Sequence, residues 1–379
     1  MNLSYWEKES FFKNIDVAII GSGIVGLSAA IRLKELSPKL KIMILERGSL
    51  PIGASTRNAG FACFGSMTEL LDDLETQSED VVFSLVEKRW KGLLKLRNKV
   101  GDANLKYQGL GGFELFRKED ISDFQQCADQ INFFNNKLNS IIGEKEVYKI
   151  VDKKISNFGF QKVEHLIHNQ AEGQIHTGEM MKTLLEIAQA KGVKILNGIF
   201  VKKINDVDDG VELQTADGWK LKFKKVLVAT NGFSKTLINQ GEVIPARNQV
   251  LITKPLQNNS VQGTFHYDKG YFYFRNIDNR ILLGGGRNLA KAEEETPEFG
   301  TTEIIQNALI DLLKNVILPQ QNFEIENTWS GILGVGNTKK PIVQTMSKNV
   351  SVAVRLGGMG VAIGSLVGEE GAELVFKKI

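Results

Sequence analysis

The sequence predicts an α/β fold in which a parallel-sheet domain is interleaved with a second domain carrying a mixed or antiparallel sheet. The chain has 379 residues, more than one ordinary domain contains. Near its start, the apolar run of residues 15–20 enters a glycine-rich turn and then a helical pattern. Strand-like segments recur in at least three separated stretches, with other material between them. This interleaving predicts two intimately joined domains.

Composition narrows the class of protein. Hydrophobic residues make up 42% of the chain, and the net charge of +3 comes from 47 basic and 44 acidic residues that are well mixed. We therefore expect no nucleic-acid partner. Cys63 and Cys127 are too few for a disulfide framework, and the N-terminal residues lack the order of a signal peptide. These features favour a cytoplasmic protein.

Residues 17–31 are almost entirely apolar, but three spaced glycines divide them into a strand, a turn and a helix. We therefore predict a buried strand–helix unit and no membrane span. With helix 24–36 and strand 41–45, this start forms one βαβ crossover. The further predicted helices are 72–100, 121–142, 178–191 and 361–376. The further predicted strands are 109–116, 193–196, 200–204, 210–215, 219–223, 225–229, 246–253, 270–275, 280–284 and 351–356.

A GxGxxG fingerprint opens the first long helix with Gly21, Gly23 and Gly26. The first glycine permits the tight turn, and the second allows the backbone to approach a pyrophosphate. The third allows the helix to pack closely on the strand. Glu46 ends the second strand, where a carboxylate can accept hydrogen bonds from ribose hydroxyls. NAD and FAD both fit this unit.

Several further motifs follow the fingerprint along the chain. They are Glu46-Arg47-Gly48, residues 53–60, Glu172-Gly173, residues 226–232 and residues 357–362. With these motifs in this order, the sequence resembles the D-amino acid oxidase family, which includes glycine oxidase and sarcosine oxidase. The resemblance implies FAD as the cofactor, bound by a Rossmann-like domain.

The resemblance also implies a division of the chain. Residues 1–75, 160–240 and 325–379 are expected to form a discontinuous FAD-binding domain, and residues 76–159 and 241–324 a substrate-binding domain. The residues expected to bind FAD are Gly21, Gly23, Ile24, Val25, Gly26, Glu46, Arg47, Ala54, Ser55, Thr56, Asn58, Ala59, Gly60, Val201, Ala229, Thr230, Asn231, Gly232, Gly331, Gly358, Met359, Gly360, Val361 and Ala362.

The activity implied by the resemblance is oxidation of a C–N bond, with transfer of a hydride from the carbon next to the nitrogen to flavin. The expected substrate is a small amine or an N-alkyl or D-amino acid, with oxygen or another electron acceptor. Two alternatives stay open. One is oxidation of a small 2-hydroxy acid, and the other is action on a modified macromolecule.

The substrate side departs from the family pattern. Residues 329–334 lie where amino-acid oxidases of the family commonly carry an arginine that binds the substrate carboxylate, but this chain has Leu333 there. Arg275 and Arg287 are the candidate substrate-binding residues, because a guanidinium can bind a carboxylate bidentately. Otherwise Lys340 substitutes, or the substrate lacks that carboxylate.

No metal site is predicted. His165 and His168 could share a helix face, but the sequence offers no evident third ligand. Cys63, just after the flavin-type loop, is expected to be buried and inert.

Overall fold

The computed structural model describes residues 3–238 and 242–379. Its α-helices are α1 Tyr5–Glu7, α2 Ile24–Leu36, α3 Ala54–Arg57, α4 Met67–Thr76, α5 Glu79–Val100, α6 Asp102–Leu105, α7 Ile121–Ile142, α8 Ile155–Phe158, α9 Thr177–Ala190, α10 Glu303–Leu312 and α11 Gly360–Phe376. Its strands are β1 Val17–Ile20, β2 Ile42–Leu45, β3 Phe61–Ala62, β4 Gly112–Phe116, β5 Tyr148–Ile150, β6 His165–Asn169, β7 Gly173–Gln174, β8 Lys194–Leu196, β9 Val201–Val207, β10 Gly210–Thr215, β11 Lys220–Phe223, β12 Lys225–Val228, β13 Ile244–Thr253, β14 Thr264–Tyr267, β15 Phe272–Ile277, β16 Arg280–Gly285, β17 Ile325–Val335, β18 Ile342–Thr345 and β19 Val350–Val354.

A six-stranded sheet carries the glycine fingerprint. Its order is β18-β19-β12-β1-β2-β8, and every pair is parallel except β18 with β19. All four residues of β1 and of β2 are buried, as expected of strands covered on both faces. Helices α2 and α11 cover one face, and the antiparallel sheet β11-β10-β9 covers the other.

An eight-stranded sheet forms the second half, in the order β17-β13-β16-β15-β14-β4-β6-β5. It is antiparallel except where β14 pairs with β4. One face packs against α8 and α10 through a phenylalanine-rich core that includes Phe113, Phe265 and Phe274. The other face turns toward the loop that leaves the glycine fingerprint unit.

Three features differ from the sequence predictions. The predicted helix 72–100 is two helices, because Gln77 and Ser78 are extended and the second helix begins at Glu79. His165 and His168 lie on strand β6 rather than on one helix face, because this segment pairs with β4. The eight-stranded sheet also includes β6 and β17, which the predicted division gives to the FAD-binding domain, because β17 pairs with β13 along its length. No helix among the described residues is long and apolar enough to cross a membrane.

Candidate cofactor and active site

A cavity of about 580 Å³ opens where the carboxyl ends of the parallel strands meet strand β17. Such edges are where open α/β sheets bind their ligands. The cavity draws its walls from both large sheets. Its lining residues include Gly21, Gly23, Ile24, Val25, Glu46, Arg47, Ala54, Ser55, Asn58, Val201, Ala229, Thr230, Asn231, Gly358, Gly360 and Val361, all of which the sequence analysis selected.

The glycine turn is shaped by close backbone contacts. Gly21 has a φ of +103°, in the region that favours glycine. A Cβ on Gly26 would lie 1.9 Å from the carbonyl oxygen of Gly21, so α2 can approach the turn only with glycine there. These contacts leave the start of α2, at Ile24 and Val25, on the cavity wall, where a helix N-terminus favours an anion.

Glu46 braces the same turn from the end of β2. Its Oε2 accepts hydrogen bonds from the backbone N–H of Ser22 at 3.0 Å and from the Ser22 hydroxyl at 2.8 Å. Its Oε1 accepts from the N–H of Gly48 at 3.0 Å. Carboxylate oxygens have further lone pairs, so Glu46 can also accept hydrogen bonds from a ribose.

The loop around α3 forms the next part of the wall. Ser55 Oγ accepts a hydrogen bond from the N–H of Ile24 at 3.0 Å, which ties α3 to the start of α2. Asn58 Nδ2 donates to the carbonyl of Ser55 at 2.9 Å, and its Oδ1 accepts from the N–H of Gly60 at 2.8 Å. These bonds hold short polar side chains and backbone amides at the cavity.

A second helix N-terminus completes the polar wall. The 17-residue helix α11 begins at Gly360, after Gly357 and Gly358 with φ of +56° and +84°. Asn231 Oδ1 accepts from the N–H of Leu356 at 3.3 Å and so fixes the approach to this turn. Thr230 Oγ1 nearby is buried without a partner among the described residues. Two helix N-termini, an orphaned hydroxyl and a ribose-type carboxylate together fit FAD.

Other predicted cofactor residues lie behind the cavity wall rather than on it. Thr56 turns its hydroxyl back to Pro51 and Gly53. A Cβ on Gly232 would lie 2.3 Å from the Leu333 carbonyl oxygen, so this glycine is required for packing. The set that does not line the cavity is Gly26, Thr56, Ala59, Gly60, Gly232, Gly331, Met359 and Ala362.

The sequence analysis missed part of the wall. The missed residues are Ile20, Leu45, Ile52, Ile199, Phe200, Phe233, Thr236, Leu237, Pro297, Glu298, Phe299, Ile332 and Leu356. Gly53, at the start of the motif 53–60, and Leu333, selected for the substrate side, line the cavity as well. Phe233 directly follows a recognised motif and could have been found. Residues 297–299 belong to an irregular segment without any motif, so no local signal marks them.

None of the three predicted substitutes for the missing arginine lines the cavity. Arg275 is 3% exposed, and its Nη1 donates to the carbonyl oxygens of Ile175 at 2.8 Å and Gly60 at 3.2 Å. Burial lowers the pKa of Arg275 to about 10. This arginine braces the Gly60 turn, which argues against its predicted role as a carboxylate ligand. Arg287 is half-buried after β16, and Lys340 is exposed.

Aromatic side chains cover part of the inner face of the eight-stranded sheet. Phe61 packs edge-on against His266 and Tyr273, with ring centroids 5.2 and 5.6 Å apart. Tyr273 Oη accepts a hydrogen bond from Asn248 Nδ2 at 3.2 Å. Burial raises the pKa of Tyr273, so its phenol stays neutral. This face therefore offers aromatic surface and one neutral hydroxyl, on residues that do not themselves line the cavity.

A buried polar cluster lies behind Phe61. Cys63, Glu172 and His266 each place a donor atom within 4.8 Å of the others, and His266 Nε2 lies 2.5 Å from Glu172 Oε1. Burial acts to lower the pKa of His266, but Glu172 and other carboxylates raise it overall. Burial and Glu172 raise the pKa of the Cys63 thiol. These three residues could hold a metal ion. The sequence analysis predicted no metal site, and that prediction has not been tested.

The fold and this cavity define a flavin-adenine-dinucleotide-binding protein. A sequence profile of the DAO family, described as FAD dependent oxidoreductase, matches residues 16–374. The chain therefore belongs to the DAO family and is an FAD-dependent enzyme. The predicted family, fold class and cofactor are thereby confirmed.

Similar proteins cover nearly the whole chain. A probable oxidoreductase, OrdL, from Haemophilus influenzae is 22% identical over 96% of this chain and 83% of its own length. The γ-glutamylputrescine oxidoreductase of Escherichia coli is 21% identical over 95% and 83%. The crystal structure of glycine oxidase from Geobacillus kaustophilus has a TM-score of 0.76 at 19% identity, covering 96% and 95%. At such identity the structural match shows the fold.

Proposed function

We propose that the enzyme oxidises the C–N bond of a small amine that carries no carboxylate next to the reacting carbon. The observation that carries the proposal is the half-buried Leu333 on the cavity wall. A buried carboxylate requires a charged or hydrogen-bonding partner. Two arginines of the eight-stranded sheet are committed elsewhere, since Arg275 binds carbonyl oxygens and Arg247 pairs with Glu294 at 2.8 Å. We assign the remaining cations near the cavity, Arg47 and Arg57, to the FAD pyrophosphate rather than to the substrate.

The protein's part in this reaction is to orient the substrate and exclude water. Phe61 and Trp329 supply apolar surface on the inner face of the eight-stranded sheet. Tyr273, held by Asn248, can accept a hydrogen bond from the amine N–H. When bound, FAD supplies the hydride acceptor, so a triad or a metal is not required. Oxygen or another acceptor would then complete the turnover.

The relatives are compatible with this proposal. One is named for γ-glutamylputrescine, and a solved neighbour is named for glycine. The family thus includes proteins named for an amine and proteins named for an amino acid. An N-alkyl or D-amino acid is the second candidate class, and it would require a carboxylate partner other than Arg275.

Matched donor pairs test the proposal. We would add benzylamine or phenylglycine, which differ only in the carboxylate, to the holoenzyme without oxygen and follow bleaching of the flavin absorbance. An acylated diamine and 2-hydroxy acids complete the series. We expect bleaching by the amine of the pair or by the acylated diamine. Bleaching only by phenylglycine or only by hydroxy acids would contradict the proposal.

The variant Leu333→Arg supplies the missing guanidinium. We expect this variant to lower the apparent Kd for phenylglycine relative to benzylamine, because a guanidinium pairs with a carboxylate. Leu333→Met, which keeps an apolar side chain of similar volume, is the matched control. Equal selectivity in the two variants would show that position 333 does not contact the donor.

A further inference from the structure

Residues 294–300, here called the strap, cross from the eight-stranded sheet to the cofactor cavity. The strap follows the short helical turn after β16 and has no regular secondary structure. Its central residues, Pro297, Glu298 and Phe299, line the cavity. None of them belongs to a recognised nucleotide-binding motif.

Both ends of the strap are fixed to the sheet. Glu294 is 0% exposed, and its carboxylate accepts two hydrogen bonds from Arg247, at 2.8 and 2.9 Å, and one from Gln249 at 3.0 Å. A bidentate pair of this kind fixes orientation as well as position. At the other end, the N–H of Gly300 donates to Ser330 Oγ at 3.0 Å. The strap is therefore held at both ends, on β13 and β17.

The middle of the strap contacts Arg47, which lines the cavity, and Arg57, which lies between the lining residues Ser55 and Asn58 in sequence. The Phe299 ring centroid lies 4.5 Å from Cζ of Arg57 and 6.0 Å from Cζ of Arg47. Arg47 also stacks on Phe233, at 3.7 Å from the ring centroid, and the two rings are 6.0 Å apart. Because Arg47 and Phe233 follow strands of the parallel sheet, the stack joins the two halves of the molecule across the cavity.

The two guanidinium groups carry charge that is not neutralised by an ion pair within residues 3–238 and 242–379. Within the described part of the chain, the Arg57 side chain donates to the carbonyl oxygen of Ser330, at 3.1 Å, and to no other group. Burial lowers the pKa of Arg47, while the charges of Glu46 and of the exposed Glu298 act against that change. The half-buried Arg47 lines the same cavity as the two helix N-termini, and this combination favours an anionic ligand. The FAD pyrophosphate supplies that charge.

We infer that the strap is part of the FAD site, where Phe299 positions Arg57 and Arg47 for the pyrophosphate and slows FAD release. Phe299 is then a positioning residue, since the arginines carry the charge. A desolvated cation–π contact is worth enough to change the FAD release rate by roughly tenfold. This inference rests on the FAD cofactor and is independent of the proposed substrate.

The test measures FAD release from purified holoenzyme. After dilution, the rise of flavin fluorescence gives the release rate of the wild type, Phe299→Ala and Phe299→Trp. We expect Phe299→Ala to release FAD roughly tenfold faster, and Phe299→Trp to stay near the wild type because its ring keeps the cation–π contact. Ile304→Ala is the control, since Ile304 is exposed, lies just beyond the strap and does not line the cavity.

Two further readouts separate positioning from a general structural role. Urea unfolding of the apoprotein should give the same midpoint for Phe299→Ala and Ile304→Ala. If Phe299→Ala does not fold, Phe299→Leu keeps the apolar volume without the ring and should still release FAD faster than the wild type. Release within twofold of the wild type, or equal loss in Phe299→Trp and Phe299→Ala, would overturn the inference.

Discussion

His266 is surrounded by more acids than bases. Glu172 binds its Nε2, and the carboxylates of Glu114 and Glu69 lie near enough to raise its pKa further. Burial acts in the opposite direction, and the nearby thiol of Cys63 stays neutral because burial and Glu172 raise its pKa. The folded state therefore holds a proton on His266 to a higher pH than the unfolded state does.

The sign of the resulting pH dependence follows from linkage. A histidine with a raised folded pKa adds stability below its unfolded pKa of about 6.5, and this stability is lost as the pH rises through the folded pKa. We expect the difference in unfolding free energy between wild type and His266→Gln to shrink as the pH rises above about 6.5. Urea unfolding across this range measures it.

The half-exposed His165, on the same sheet, provides the control variant His165→Gln. The prediction would be contradicted if the difference in unfolding free energy between the wild type and His266→Gln stayed constant or grew as the pH rises. Glutamine is chosen because its Nε2 can still donate to Glu172, so the comparison removes the charge and keeps a hydrogen-bond donor.

Residues that act through local sterics were predictable from the sequence, and residues that act across the fold were not. Gly21, Gly23 and Gly26 lie within six consecutive residues, and together they determine a tight turn followed by the start of a helix. This helix start could therefore be predicted without knowledge of the tertiary structure. Phe299 reaches the same cavity through an irregular segment anchored by Glu294. That anchor depends on strand pairing, which local sequence does not encode.

At the scale of elements, the packing of α11 on α2 positions both helix N-termini at the cavity. A Cβ on Gly368 would lie 2.5 Å from the carbonyl oxygen of Val25, so the helices touch backbone to backbone there. A rigid contact of this kind transmits any displacement along the helix. The start of α2 and the start of α11 both lie on the cavity wall, so the spacing of the two helices sets the width of the anion site.

Gly368→Ala should therefore weaken both folding and FAD binding. The added methyl group must push the helices apart, at a cost of about 1–3 kcal/mol. Urea unfolding and titration of the apoprotein with FAD measure the two effects. Glu373→Ala, which removes a surface ion pair with Arg32 between the same helices, is the control and should cost at most about 1 kcal/mol. Equal FAD affinity in both variants would contradict the prediction.

Whether a segment forms a helix or a strand was easier to predict than which strands pair with one another. The helix 121–142 and the first βαβ unit have the predicted bounds to within two residues, because their apolar periodicity is strong. Strand β17 was not predicted, since its residues include glycine and several polar side chains. Its extended form depends on pairing with β13, which lies far away in the sequence.

At the scale of the whole molecule, the cofactor cavity is shared between the two large sheets. Ligand that binds only the folded protein stabilises it by RT ln(1 + [L]/Kd), about 2.7 kcal/mol at one hundred times Kd. We expect FAD to raise the Tm of the whole chain in a single transition, because residues of both halves contact the cavity. Calorimetry at increasing FAD concentration measures this.

Adenosine, which cannot bridge the cavity, is the control ligand for the calorimetric experiment. Two thermal transitions, of which only one moves with FAD concentration, would contradict the expected coupling. Such a result would assign the cofactor to the six-stranded sheet alone.

The strand order of the parallel sheet also has a consequence for biosynthesis. Strand β1 pairs with β12 and β12 pairs with β19, so the paired residues Val17 and Lys225 are 208 positions apart and Val226 and Val350 are 124 positions apart. During translation, the first strand leaves the ribosome long before its partner is made. Its apolar edge must be shielded until then, because unpaired strand edges promote aggregation. We therefore expect nascent chains that stop before β19 to engage chaperones.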